Sequence, residues 1–223
     1  MIAVSDVDPD HHELGAGGVH AIHTDTHLLV LDKPSGLLSV PAKPPGPQDC
    51  LEARAKSCYP GALLVHRLDM DTSGLMVFAR TRLAQRHLGW QFERRQIRKT
   101  YVARVAGQVA EDSGQVELPL ICDWPNRPLQ MVCLERGKRA LTHWRVLARE
   151  EHATRLELQP LTGRSHQLRV HMRDIGHPIL GDRFYGSADV QAAADRLQLH
   201  AESLTFMHPD GGHWVTFDAP VPF

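Results

Sequence analysis

The sequence of 223 residues has no apolar run of about 18 residues, so it predicts no membrane-spanning helix. The first thirty residues contain no Lys or Arg but five acidic residues. This composition argues against a signal peptide, a mitochondrial presequence and a basic nucleic-acid-binding arm. The four cysteines form no CxxC pair, which is typical of reduced thiols. These absences together predict a cytoplasmic protein.

Signatures of metal and nucleotide binding are also missing. His166, His171 and His177 are five and six residues apart, so no two of them share a helix face, and no HExxH or Cys/His pattern occurs. The glycines at positions 15, 17 and 18 lack the following Lys-Ser/Thr of a phosphate-binding loop. We therefore expect neither a metal nor a cofactor.

The charge is nearly balanced overall but strongly uneven along the chain. A formal net charge of −1 is unusual for a dedicated nucleic-acid binder. Residues 80–104, however, contain eight basic residues and one acidic residue, a local charge of +7. This segment is either a solvated helix face or a surface that contacts phosphates.

The pattern of apolar residues and turns predicts an α+β fold. Strands dominate and do not alternate regularly with helices, which favours a mixed, largely antiparallel sheet with flanking helices. Periodicity and turn residues predict a surface loop at 41–49, helices at 81–96 and 165–175, strands at 100–106 and 141–148, and a hairpin of 204–207 with 214–217.

One segment, residues 66–80, combines charged residues with the start of a strand. Arg67 and Asp69 precede turn residues at 72–74, and an apolar run follows. A carboxylate in the loop directly before a buried strand is well placed to act on a substrate. A structural salt bridge in a loop is the alternative. Asp71, two residues further on, leaves open which carboxylate is the functional acid.

This segment, His66-Arg67-Leu68-Asp69-Met70-Asp71-Thr72-Ser73-Gly74, resembles the signature of the RluA-type RNA pseudouridine synthases. Further blocks resemble the family's motifs in the same order over roughly residues 22–223. They are Lys33-Pro34-Ser35-Gly36, Lys99-Thr100-Tyr101-Val102-Ala103, Thr162-Gly163-Arg164-Ser165-His166-Gln167-Leu168-Arg169 and Gly176-His177-Pro178-Ile179-Leu180-Gly181-Asp182.

The resemblance implies one catalytic domain over residues 21–223 whose long sheet is cut by a central RNA-binding cleft. Residues 1–20 are acidic and glycine-containing, and we expect them to be loosely ordered. They leave no room for a separate RNA-binding module before the catalytic domain. RNA recognition is therefore expected from the catalytic domain itself.

The resemblance also assigns catalytic roles. It implies that Asp69 is the catalytic carboxylate, that Arg169 pairs with it, and that Tyr101 is the active-site tyrosine. Leu168 is expected to pack on the other side of the uracil, and Arg67 to fill the gap left by the flipped uridine. Spacing alone favours a surface arginine at 169 and a half-buried core tyrosine at 101, and it fits a core leucine at 168 equally well.

The expected partner is RNA, with no DNA, no membrane and a monomeric protein. Arg94, Arg95, Arg98, Lys99 and Arg164 are the residues that we expect to bind the substrate backbone. Residues 118–128 resemble the dual-specificity members of the family, which modify both large-subunit (23S) ribosomal RNA and the anticodon stem-loop of transfer RNA.

The sequence leaves two alternative functions open. A glycoside hydrolase could use Asp69 with a second carboxylate, and it would release a base or a sugar instead of an isomer of unchanged mass. A catalytically silent RNA-binding or ribosome-assembly factor could keep the fold without the reaction. The presence of Asp69, Tyr101 and Arg169 together argues against the silent factor.

Overall fold

A computed structural model describes residues 18–223. Residues 1–17 of the segment expected to be loosely ordered therefore lie outside the described residues. Two compact units are present. The first comprises the residues up to Arg98 with Ser203–Pro220, and the second comprises Lys99–Glu202 with Val221–Phe223. The single catalytic domain over 21–223 stays a prediction.

Strands outnumber helices in both units. In chain order, the elements are β1 (His20–Thr24), β2 (Leu28–Lys33), α1 (Leu51–Cys58), β3 (Leu63–Leu64), β4 (Ser73–Ala79), α2 (Arg82–Glu93), β5 (Arg98–Ala106), β6 (Ser113–Glu117), β7 (Leu120–Cys122), β8 (Gln130–Val132), β9 (Leu141–Arg149), β10 (Ala153–Pro160), α3 (Gln167–Asp174), α4 (Ala188–Ala192), β11 (Leu199–Met207) and β12 (Trp214–Asp218). None of these helices is long and apolar enough to span a membrane.

The first unit is built on antiparallel strand pairs. β1 pairs with β2, β2 with β4, and the short β3 with β4. The last five residues of β11 belong to this unit and pair with β12, which confirms the predicted hairpin. All seven residues of β4 are buried, as expected for a strand that continues from the signature loop into the core.

Helix α2 covers this sheet with the face that its sequence predicts. Ala84 and Leu88 are buried among β-strand residues, and Phe92 packs against the same cluster. The Thr81 hydroxyl caps the first turn by accepting the N–H of Ala84. The helix ends at Glu93, earlier than the predicted residue 96, because Arg95 adopts a left-handed backbone with φ of 58°.

The second unit contains a ladder of four antiparallel strands in the order β5-β10-β9-β6, and a separate pair of β7 with β8. Strands β5 and β9 confirm the predictions at 100–106 and 141–148. Helix α3 packs on the ladder through Leu168 and Met172, which lie in one cluster with Leu156 and Leu158. The ladder thereby provides the rigid support on which α3 presents its polar residues.

The ends of α3 are set by two residues with positive φ. His166 precedes the helix with φ of 53°, and Gly176 follows it with φ of 89°. The N–H of Gly176 donates to the carbonyl of Arg173, which closes the last turn, as the sequence predicted for a glycine stop. The helix is shorter than the predicted 165–175 because its first residues are taken up by this left-handed entry.

These elements confirm the α+β class and the mixed, largely antiparallel sheet with helices. The loop predicted at 41–49 is also confirmed, since no helix or strand occurs there. The central cleft implied by the resemblance stays a prediction.

Candidate functional site

A buried lysine forms a hydrogen bond to the loop that carries Asp69. Lys33, at the end of β2, is fully buried. Its Nζ donates to the carbonyl oxygens of Pro34, Leu37 and Met70, each at 2.8 Å. Two of these carbonyls belong to the turn after β2, and the third directly follows Asp69 in the chain. The ammonium group therefore ties the two segments together.

Two serines of the same turn region fasten the loop on either side of that point. The Ser39 hydroxyl donates to the Leu68 carbonyl at 2.6 Å and accepts the Leu68 N–H at 3.1 Å. The Ser35 hydroxyl donates to the Asp71 carbonyl at 2.7 Å. Hydrogen bonds thus fix the backbone of Leu68, Met70 and Asp71. The fold of the first unit therefore defines the position of the Asp69 Cα.

The two carboxylates of this loop differ in accessibility. Asp71 is buried, with 8% of its surface exposed, whereas Asp69 is of intermediate exposure. Both make further interactions within the protein. The greater accessibility of Asp69 favours it over Asp71 as the acid that reaches a substrate.

His66 anchors the start of the signature segment. Its Nε2 accepts the N–H of Val77 at 3.0 Å, so that nitrogen carries no proton. The same ring stacks on Phe92 of α2, with centroids 4.6 Å apart. Arg67, the next residue, is exposed. A residue that fills a gap in a base stack must be solvent-accessible, and Arg67 meets that condition.

Arg169 lies on α3 and is almost completely buried in the second unit. Its Nε donates to Asp182 Oδ2 at 2.8 Å, and its Nη2 donates to Asp182 Oδ1 at 2.6 Å. The guanidinium also lies over the rings of Phe184 and Tyr185, at 5.0 and 5.2 Å from their centroids. It is therefore no surface arginine. The expected pairing of Arg169 with Asp69 stays a prediction.

Tyr101 and Leu168 are brought together in the core of the second unit. Tyr101 lies on β5 opposite Leu158 of β10 and is half-buried. It packs against the apolar cluster that contains Leu168, which is 6% exposed. Leu168 is therefore mostly buried but not fully, while the partial exposure of Tyr101 leaves its ring able to contact a ligand. Their contacts with a uracil stay predictions.

Lys99 and Arg164 are both close to the segment before α3. Lys99 Nζ donates to the Thr162 carbonyl at 3.1 Å. Arg164 uses its Nε to donate to the Arg139 carbonyl, and its backbone N–H donates to the Gln167 side chain. The two cations therefore flank one turn of the second unit, which is compatible with a shared role in binding an anionic backbone.

The end of α2 and the following segment present exposed arginines beside exposed tryptophans. The Arg94 guanidinium lies 4.6 Å from the Trp90 ring centroid, and that of Arg98 lies 5.5 Å from Trp214. Trp90 and Trp214 are 40% and 50% exposed. Arg95 is also exposed. Exposed cations and aromatic faces are the groups that contact phosphates and bases.

The histidines that could suggest a metal site have structural partners. His171 Nδ1 is 3.0 Å from the Thr142 hydroxyl, and its Nε2 is 3.1 Å from the Leu118 carbonyl. Burial lowers the pKa of His171, and this outweighs the Leu118 contact, so the ring is neutral near pH 7. Over residues 18–223, no group of three or more His, Cys, Asp or Glu side chains is arranged to hold a metal ion.

Sequence reasoning missed the residues that hold the site in place. Lys33 and Asp182 stood in recognisable motifs, Lys33-Pro34 and Gly181-Asp182, but had no assigned role. The signal was a charged residue next to an otherwise apolar strand or turn, which must find partners if it is buried. The partners themselves come from segments 37 and 13 residues away.

Comparison with known proteins agrees with this geometry. A family model described as RNA pseudouridylate synthase matches residues 27–174. The chain is 51% identical over 203 residues to the dual-specificity RNA pseudouridine synthase RluA of Yersinia pestis, covering 91% of this chain and 98% of the relative. It is 53% identical to the RluA of Escherichia coli K12, covering 91% and 93%.

A similar fold is found in a solved structure, human RNA pseudouridylate synthase domain containing 1. The TM-score is 0.79 at 26% identity, and the match covers 95% of this chain and 87% of that one.

We expect Lys33→Met to destabilise the protein by about 2–5 kcal/mol, because the carbonyls of Pro34, Leu37 and Met70 lose a fully buried ammonium donor while the side chain keeps a similar shape. Urea unfolding measures this. Lys56→Met is the control, since Lys56 is exposed and pairs with Glu52 one turn away on the same helix. Its cost should be below about 0.5 kcal/mol. Equal midpoints for the two variants would contradict the proposed support of the loop by Lys33.

Proposed function

The chain belongs to the RNA pseudouridylate synthase family, and from this we propose that it converts specific uridines to pseudouridine in both 23S ribosomal RNA and the anticodon stem-loop of transfer RNA. The observation that carries the dual specificity is the identity of more than 50% with relatives that are named for it, over 91% of the chain. We further propose a cytoplasmic monomer.

The reaction is an isomerisation that requires no oxidation and no nucleotide energy. The bond between uracil N1 and ribose C1′ breaks, the base turns, and C5 joins C1′. The C5 proton leaves and N1 gains a proton, so composition and mass do not change. The protein has to supply a carboxylate beside the sugar or base, a surface that retains the detached uracil, and removal of the C5 proton.

We assign the carboxylate role to Asp69. Its support is the fixed backbone on both sides of it and its greater exposure than Asp71. Attack on C1′, addition to C6 and proton abstraction from the sugar are all compatible with a carboxylate at this place. Arg169 is assigned as the ion-pair partner that stabilises the carboxylate anion. Both assignments follow the family motifs residue by residue.

Tyr101 is assigned to the base. Its ring is half-buried and supported from behind by the cluster around Leu158. Such a ring can stack on a displaced uracil, and its hydroxyl can take part in removing the C5 proton. Leu168, from the same cluster, is assigned to the opposite side of the base.

Access to the uridine requires flipping it out of the RNA stack. The exposed Arg67, two residues before Asp69, is assigned to fill the gap. A planar guanidinium suits this role because it stacks on bases and its charge attracts phosphates. Arg94, Arg95, Arg98, Lys99 and Arg164 are assigned to the RNA backbone.

Family membership weighs against the two rivals. A glycoside hydrolase would release free base, whereas the synthase product has the mass of its substrate, so mass spectrometry of digested RNA separates them. A silent RNA-binding factor would leave every uridine unchanged. Mapping of carbodiimide-modified uridines in total RNA, with and without the chain, identifies the targets.

We expect Asp69→Asn to abolish pseudouridine formation while RNA affinity and the unfolding midpoint change little, because the amide keeps the shape but not the charge. Tritium release from C5-labelled RNA measures the rate. Asp71→Asn is the matched control and should retain activity within tenfold. An active Asp69→Asn protein, or an inactive but folded Asp71→Asn protein, would overturn the assignment.

We expect RNA binding to depend on the basic segment and on salt. Replacing Arg94, Arg95 and Arg98 with Gln should weaken binding and reduce the slope of log affinity against log salt by about two to three units, because each phosphate contact contributes roughly 0.7–0.9. Filter binding at several salt concentrations gives the slope.

The control for that measurement removes three cations outside the segment, with Arg54, Lys56 and Arg145 changed to Gln. Its slope should match the wild type. If the two triple variants have the same slope, the basic segment does not contact phosphates.

We expect Arg67→Ala to impair a folded stem-loop far more than a short unstructured strand with the same uridine. Flipping costs a few kcal/mol in stacked RNA and much less in a loose strand. A lost stacking contact is worth about 1–3 kcal/mol, or roughly five- to over a hundredfold in rate. Single-turnover rates on both RNAs measure the effect.

Arg54→Ala, which removes a partly exposed arginine paired with Asp49, is the control and should affect neither RNA. Equal fractional losses of Arg67→Ala on the two RNAs would show that Arg67 only braces the loop.

A further inference from the structure

The ion pair between Arg169 and Asp182 is the most deeply buried charged contact in the second unit. Arg169 is 2% exposed and Asp182 is 0% exposed. The two hydrogen bonds, at 2.8 and 2.6 Å, engage both carboxylate oxygens and two different nitrogens of the guanidinium. This bidentate geometry fixes the plane of the guanidinium as well as its position.

Asp182 is itself held by its own backbone turn. Its Oδ1 also accepts the N–H groups of Phe184 at 2.9 Å and Tyr185 at 3.1 Å. Gly181, just before it, has φ of 73°, and a Cβ there would lie 2.1 Å from the Arg196 carbonyl. The turn thus requires glycine at 181 and directs the Asp182 carboxylate towards α3 before any RNA binds.

The aromatic side chains of this turn form a second support. Arg169 lies over the rings of Phe184 and Tyr185. The Tyr185 hydroxyl accepts the Gln130 N–H at 2.9 Å and lies 2.7 Å from His166 Nδ1. Because these contacts do not depend on the Asp182 charge, they should keep Arg169 buried when that charge is removed.

A buried ion pair is a poor way to gain stability alone, because desolvating two charges offsets their attraction and apolar side chains serve equally well. Apolar side chains, however, cannot supply a cation whose N–H donors point in a fixed direction. A guanidinium has five N–H donors in one plane, so fixing Nε and Nη2 also fixes the direction of the remaining donors. The geometry therefore suits a cation that must point in one direction.

We propose that Asp182 is a positioning residue for the isomerisation, which acts by orienting the guanidinium of Arg169 towards the reacting groups. This inference rests on the proposed function, in which Arg169 stabilises the catalytic carboxylate. Asp182 does not touch the substrate. Its removal changes the rate of the chemical step and leaves RNA affinity unchanged.

The test uses Asp182→Asn in the full chain. The amide oxygen still accepts the N–H groups of Phe184 and Tyr185, while the negative charge and one acceptor facing Arg169 are lost. Single-turnover rates at saturating enzyme should fall about 10- to 100-fold, as for a small misplacement of a catalytic group. The dissociation constant for RNA should stay within twofold. An unchanged rate in a folded variant overturns the proposal.

Glu157→Gln is the matched control. It makes the same change of acid to amide and breaks an ion pair with Arg145 in the same unit, and its rate should equal the wild type. If Asp182→Asn does not fold, Asp182→Glu replaces it. This variant keeps the charge but shifts the carboxylate by one methylene. A slower chemical step at unchanged RNA affinity supports the proposal, and a wild-type rate overturns it.

Action through Arg169 is tested by combining Asp182→Asn with Arg169→Lys, which keeps a charge but cannot make the planar bidentate contact. The double variant should be no more than about twofold slower than Arg169→Lys alone, because the group that Asp182 orients is already gone. Rate losses that multiply would show that Asp182 acts on the fold in general and would overturn the proposal.

A second readout does not depend on activity. In protein labelled with ¹⁵N-arginine, the slowly exchanging Nε–H of Arg169 should be seen in the wild type and lost or shifted in Asp182→Asn. If the wild type left both RNAs unmodified, the proposed function would fail, but this signal would still test whether Asp182 orients Arg169. Loss or a shift of the signal in Asp182→Asn supports that orientation, and an unchanged signal overturns it.

Discussion

One buried ammonium group holds together the part of the first unit that contains Asp69, the candidate catalytic acid. Lys33 Nζ replaces its lost hydration with three carbonyl oxygens, and one of these belongs to Met70, next to Asp69. A buried cation without such acceptors would be strongly unfavourable. The turn after β2 and the loop before β4 must therefore close on the same point for the unit to fold, which makes the Asp69 position a consequence of folding.

The second unit also buries a cation, but its partner is a carboxylate instead of backbone carbonyls. There the buried charge on the helix is the cation, Arg169, and the fixed partner is the anion, Asp182, held by the N–H groups of its own turn. In both units a rigid turn that contains glycine lies beside a charged group. Each unit thus fixes one buried cation, Lys33 or Arg169, through hydrogen bonds of the fold itself. Charges that are fixed before a substrate binds need no reorganisation during a reaction.

The chain is nearly neutral, yet it belongs to a family that acts on RNA. The distribution of charge resolves this contrast. Cations are concentrated after the signature loop, and two of them lie over exposed tryptophans. A local basic surface on a neutral protein limits nonspecific attachment to other polyanions, because the long-range field is weak while the short-range contacts are kept.

The sequence by itself determined the family, the α+β class, the main helices and strands, and Asp69 as the candidate acid, because these depend on local patterns: apolar periodicity, turn residues and motifs of consecutive residues. The termination of α2 at Glu93 was not predictable, since Arg95 takes a left-handed backbone that its residue type disfavours.

Only the tertiary structure decided which charged residues are buried and what holds them. Lys33 reaches Met70 across 37 residues, and Arg169 reaches Asp182 across 13. No local pattern encodes such partners, because burial and hydrogen bonding depend on which segments meet in space. The sequence therefore named the candidate residues for the chemistry, and the fold alone identified the partners of the buried charges.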